Sequence, residues 1–207
     1  VTSVNDAPAG TNTTVSTIED TQYTFVAANF GFTDPSDAAA PNAFLSVTIS
    51  ALPAVGSLTL NGVAVTLNQV ITVADINAGL LRFTPVTDAH GSTYATFGFQ
   101  VRDNGGTANG GVDIDGTPNV LTIDVVSVDD APSGADTTVT MLEDASLTLA
   151  LANFVFADPN DTPADNFVSI FITTLPSLGV LRLNGVAVTA GQEVLVTDIN
   201  ANRLVYT

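Results

Sequence analysis

The chain has 207 residues, with 21 acidic side chains against four Arg and no Lys, and a formal net charge of −17. Such a surface repels nucleic acid and anionic membrane and attracts cations. The absence of Cys excludes disulfides and thiolate metal sites, the absence of Lys excludes Lys–Asn isopeptide staples, and no apolar run approaches the roughly 18 residues a membrane span needs.

Alternating β-branched and polar residues predict strands at 12–17, 22–28, 44–51, 57–60, 63–66, 69–73, 80–84, 93–101 and 119–127. Asn61-Gly62, between SLTL and VAVT, reads as a two-residue hairpin turn, because both residues tolerate positive φ. Residues 75–79 (DINAG) read as one helical turn, capped by Thr72 or Asp75 and ended by Gly79. No amphipathic helix of ordinary length follows. Seven to nine short strands without helices predict an all-β fold, a Greek-key β-sandwich of immunoglobulin or cadherin type.

The pattern then repeats. VNDAP at 4–8 returns as VDDAP at 128–132, EDTQYTF at 19–25 as EDASLTL at 143–149, and ANFGFTDPSD at 28–37 as ANFVFADPND at 152–161, all at a shift of 124. From residue 44 the shift is 123, pairing LNGVAV at 60–65 with 183–188 and DIN at 75–77 with 198–200. The expected organisation is the end of a preceding repeat at 1–4, a first repeat at 5–128 and a second, incomplete repeat at 129–207. The two copies are expected to superpose over 9–84 and 133–207, as a window cut from a longer array. An incomplete copy is expected to be disordered alone or completed by another chain.

The acidic residues lie in loops and linkers, whereas a surface charged only for solubility or a salty habitat would disperse them. Alternating strand directions would bring Asn5 and Asp6 of the linker, Asp34 and Asp37, and Asp103, Asn104, Asp113 and Asp115 to the upper end of the first repeat. Glu19, Asp20 and Asp88 would fall at the lower end. The joint between the copies would then collect Glu19, Asp20 and Asp88 from below, Asp129 and Asp130 from the linker, and Asp158, Asn160 and Asp161 from above. That composition suits a hard cation: calcium takes six to eight oxygen ligands, and crowded carboxylates repel one another without a counter-ion. One His and no Cys leave little for a transition metal. Each residue also has a plainer role. Glu19-Asp20 and the Asp-Pro pairs at 34 and 158 can simply shape turns, Asp75 and Asp198 suit helix caps, and NGGVDIDG at 109–116 suits a flexible loop.

The ordered series SVNDAP or SVDDAP, EDT, LPAVGSLTLNGVAV, DINAGLLRFTP and FGFQVRDNGG resembles the cadherin-like repeats of giant secreted bacterial adhesins. It is also similar to chondroitin-sulfate-proteoglycan-type repeats. The resemblance implies an extracellular extender that binds calcium between neighbouring repeats. The family linker commonly reads DxNDNAP, and this chain lacks some of those ligands.

No catalytic constellation emerges. His90 stands alone without Cys or Lys, and a carboxylate-pair glycosidase needs an aromatic-lined cleft that a chain with no Trp and three Tyr supplies poorly. Three non-enzymatic readings follow. The first is a structural extender of a large bacterial surface adhesin or fibre, stiffened by calcium. The second is a glycan- or protein-binding module, for which the 103–118 loop is the candidate. The third is a filament subunit completed by strand addition from another copy.

Overall fold

The computed structural model describes residues 4–37 and 41–207; the expected end of a preceding repeat falls, at residues 1–3, outside them. The chain divides into two compact units after Val128.

The first unit opens with β1 (Thr13–Ile18) and β2 (Tyr23–Thr24). Strand β2 is shorter than the predicted 22–28. The Asn29 side chain accepts the Val26 N–H at 2.8 Å and the Asn29 N–H bonds the Val26 carbonyl, turning Ala27–Phe30 into a 3₁₀ turn. That turn drops Phe30 into the core, fully buried. There follow β3 (Phe44–Ala51), β4 (Ser57–Leu60), β5 (Val63–Ala64) and β6 (Val70–Thr72). Asn61 and Gly62 both have positive φ, 50° and 78°, as the β4–β5 hairpin requires. The predicted helical turn is α1 (Val73–Asn77), and Thr72 is its cap: the Thr72 hydroxyl oxygen accepts the Asp75 N–H at 3.1 Å. The unit closes with β7 (Leu81–Thr84), β8 (Gly91–Asp103) and β9 (Asn119–Val126).

Two sheets form, in the orders β1-β9-β8-β3-β6 and β2-β7-β4-β5. All pairings are antiparallel except β1 with β9, which run parallel from Thr13↔Leu121 to Ile18↔Val126. Alternation sends one face of each strand inward, so Val47, Ile49, Phe97, Phe99, Leu121 and Ile123 from one sheet share a core with Leu58, Leu81 and Phe83 from the other. Edge-to-face rings lock its centre, Phe25 against Phe97 and Phe30 against Phe99.

The second unit repeats part of this plan. It contains β10 (Leu147–Thr148), β11 (Ser169–Ile172), β12 (Leu181–Leu183), β13 (Val186–Ala187), β14 (Gln192–Leu195), α2 (Val196–Asn200) and β15 (Leu204–Tyr206). The sheet β10-β15-β12-β13 has the order of β2-β7-β4-β5, and β11-β14 matches β3-β6. The Asn184-Gly185 turn has the same positive φ angles, 53° and 82°. A second core gathers Val188, Val194, Ile199 and Leu204.

One expectation is corrected. Residues 134–142, the counterpart of the β1 region, form no strand and are exposed throughout. In the first unit β1 is held in its sheet by β9 alone, and no counterpart of β9 or β8 stands among the described residues of the second. The units therefore correspond from the linker through β7, as the bridges Ala9–Thr33 and Ser133–Ala157 mark, except over β1, which has no counterpart strand among the described residues.

Candidate metal centre

At the upper end of the first unit the linker is tied to two loops, the one before β3 and the one between β8 and β9. Asn5 donates through Nδ2 to Asp103 Oδ1 at 3.1 Å and to the carbonyls of Gly106 and Val112. Asp37 Oδ2 accepts the Asp6 N–H at 2.9 Å. Asp34 Oδ2 accepts the Asn42 N–H at 2.6 Å, and the Asn42 side-chain amide bridges Asn5 Oδ1 and Asp37 Oδ2. Asp103 is fully buried, and Asp103 Oδ2 and Asp34 Oδ1 are buried without a hydrogen-bond partner. Asn104 Oδ1 accepts the Ala43 N–H. Asp113 faces Arg102 Nε at 3.7 Å and offers its backbone carbonyl to the Asp103 N–H. Asp115 is occupied elsewhere: its carboxylate accepts from Gly10 N, Thr117 N and Asn119 Nδ2, which pins a turn. The expected upper cluster thus forms around Asn5, Asp6, Asp34, Asp37 and Asp103, with Asp113 and Asp115 to one side.

The second unit builds the same cradle with different chemistry. Asp161 accepts the Asp130 N–H through both oxygens, at 3.2 and 3.1 Å, as Asp37 does from Asp6. Asp158 Oδ2 accepts the Asp165 N–H at 2.7 Å, as Asp34 does from Asn42. Asn160 lies half-buried in the same loop. The positions of Asn5 and Asn42 are taken by Asp129 and Asp165. Carboxylate oxygens of Asp129, Asp161 and Asp165 lie within 4.8 Å of one another. Where the first cradle closes on an amide donor, the second sets carboxyl against carboxyl, a pair that bonds only when one of the two holds a proton. Its electrostatics follow: a hydrogen bond with Asp129, then the Asp129 charge, push the Asp165 carboxyl above the ordinary aspartate range. Asp158 is buried, and its Oδ1 has no hydrogen-bond partner.

Asp165 was not among the residues expected from sequence. Its signal was there in register: at the shift of 123 it aligns with Asn42, and the DPxD loop before it places both at one mouth.

The lower end of the first unit gathers Glu19, Asp20 and Asp88 as expected. Asp20 and Asp88 both adopt φ of 55°, and Asp20 Oδ1 accepts the Asp88 N–H at 3.3 Å. Glu19 is 3% exposed. Its Oε1 accepts the Val128 N–H at 2.5 Å and its Oε2 stands 3.1 Å from His90 Nδ1. The Val128 N–H is the main cause holding the Glu19 carboxyl below its ordinary range; burial opposes it, and hydrogen bonds from His90 and Ser127 assist. Both Glu19 oxygens thus meet protein groups, and they fasten the last residue of the unit. The second copy's counterpart, Glu143, is exposed.

Comparison with protein-family models, with curated proteins and with solved structures found no match to this chain. Among the described residues no helix is long and apolar enough to cross a membrane.

Proposed function

We propose that this chain is an extender segment of a large bacterial surface adhesin or extracellular fibre, built from tandem Greek-key β-sandwiches and stiffened by calcium where one repeat passes into the next. The strand orders of the first unit, with parallel first and last strands, support the sandwich reading. The observation that carries the calcium reading is the meeting of Asp129, Asp161 and Asp165. An all-oxygen donor set beside a buried, unpartnered Asp158 oxygen fits a hard cation. Calcium would neutralise the three carboxylates and join Asp129, the first residue after the division between units, to the 158–165 loop.

Titration of the full chain with calcium in a calorimeter tests this. The expected result is binding at roughly 10⁻⁴–10⁻³ M, the range of extracellular calcium modules, and its loss in Asp161→Asn. Small-angle scattering should change on chelation while β content by circular dichroism stays constant. No heat, and identical scattering with and without chelator, would leave the carboxylates as a solvated surface.

A further inference from the structure

We propose that Glu19 is the positioning residue through which calcium on the second unit stiffens the chain back into the first: it holds the Val128 backbone one residue before the ion's first ligand. The inference rests on the calcium reading and names what the ion needs beyond its own ligands.

An ion stiffens a chain only as far as its ligands are themselves held. Asp129, Asp161 and Asp165 all fall in the second unit, so calcium there orders the mouth of that unit alone. Order reaches the first unit only where the backbone is gripped immediately before Asp129. Glu19 supplies that grip. The parallel ladder of β1 and β9 ends at Ile18↔Val126, and Glu19 prolongs it by two bonds. Its own N–H donates to the Val126 carbonyl at 2.9 Å, and its Oε1 accepts the Val128 N–H at 2.5 Å. On the far side, Asp161 accepts the Asp130 N–H through both oxygens. The residue between these grips is Asp129, and a residue brings only two soft backbone torsions. An ion on the Asp129 carboxylate therefore has little left to fix.

The Glu19 carboxylate is placed to hold backbone rather than metal. It is 3% exposed, His90 Nδ1 stands 3.1 Å from Oε2, and Ser127 supplies a further hydrogen bond. Those contacts fix its rotamer. A carboxylate that accepts an N–H away from water also makes a stronger bond than a neutral oxygen does.

The test uses the full chain, which has no Cys, spin-labelled through Thr96→Cys and Thr189→Cys, both at exposed positions. Double electron–electron resonance reads the distance distribution with calcium or chelator, and calorimetry reads calcium affinity. In the parent, calcium should narrow the distribution by about twofold, as freedom in the linker is lost. Glu19→Met fills the same space without an acceptor. It should keep calcium affinity within about threefold of the parent, yet stay equally broad with calcium and with chelator. Glu19→Gln keeps an acceptor oxygen without the charge, and should restore the narrowing. In the unlabelled parent in chelator, the Val128 amide should exchange about tenfold more slowly than the Asp129 amide. That measurement needs no variant, so it decides the question should Glu19→Met fail to fold. Narrowing in Glu19→Met, loss of its calcium binding, a Glu19→Gln chain as broad as Glu19→Met, or a Val128 amide as open as that of Asp129 would each overturn the proposal. So would calcium uptake by the parent without narrowing. A parent that takes up no calcium overturns the calcium reading, and this inference with it.

Discussion

Two residue pairs, Asn5–Asn42 and Asp129–Asp165, occupy equivalent places and reverse the polarity of their cradles. An amide carries its own donor, so Asn42 can satisfy Asn5 and Asp37 at once. Two ionised carboxylates have no donor to share. The double substitution Asp129→Asn with Asp165→Asn should therefore weaken calcium binding by about tenfold or more, since calcium affinity follows ligand charge. It should also raise the urea midpoint in chelator. The reciprocal change in the first unit, Asn5→Asp with Asn42→Asp, should lower that midpoint. A calorimetric titration and a denaturation curve check both arms.

Glu19 makes a second residue-scale prediction. Its folded carboxyl titrates below the ordinary glutamate value of 4.5. A depressed carboxyl contributes stability that is full above the unfolded value and is lost as pH falls through the folded one. Glu19→Gln should accordingly flatten the acid limb of the stability curve below about pH 5, while near pH 7 the variant is less stable than the parent. An unaltered acid limb would mean that other carboxylates govern acid unfolding.

Among the elements, β8 organises the first unit, lying between β9 and β3 in the larger sheet. Gly98 lets it pass β3 closely, and because its φ is unexceptional the constraint there is space alone. Gly98→Val should cost about 1–3 kcal/mol by overpacking, read from urea denaturation of the first unit. Gly62 has nothing near the place of a Cβ. An Ala there should disturb only the turn, through its positive φ, by roughly 1 kcal/mol.

Most strands were legible because alternation is a local signal, and both Asn-Gly turns because the backbone angles they need suit few residues. What alternation could not give is pairing. Residues 136–141 (DTTVTM) alternate much as 12–17 (NTTVST) do, yet only the latter form a strand, because β9 supplies their hydrogen bonds. Strand β2 stops short of the predicted 22–28 because Asn29 captures the Val26 N–H, a contact that alternation does not encode. The two-ended gathering of carboxylates was legible from strand direction. That Glu19 fastens Val128, and that Asp165 completes the triad, depended on geometry that no spacing states.

At the scale of the molecule, the two units differ in how much core holds each together. Among the described residues, eighteen buried apolar residues cluster in the first and four in the second. Heating should therefore give two transitions, the second unit melting first. Calcium should raise only the lower one, because it binds the folded form of that unit. Calorimetry with and without chelator checks the assignment. A single cooperative transition would show that the units do not melt independently.

The parallel pairing of β1 with β9 has a mechanical consequence. In the first unit the strand nearest the entry and the strand nearest the exit lie side by side and point the same way, in register over six residue pairs. A chain pulled from its two ends loads such a pair lengthwise. Its hydrogen bonds must then slide past one another together, whereas an antiparallel hairpin pulled open at one end parts bond by bond. Forced rupture is governed by the barrier to unfolding rather than by equilibrium stability. The first unit should therefore yield as one high-force event in a pulling experiment.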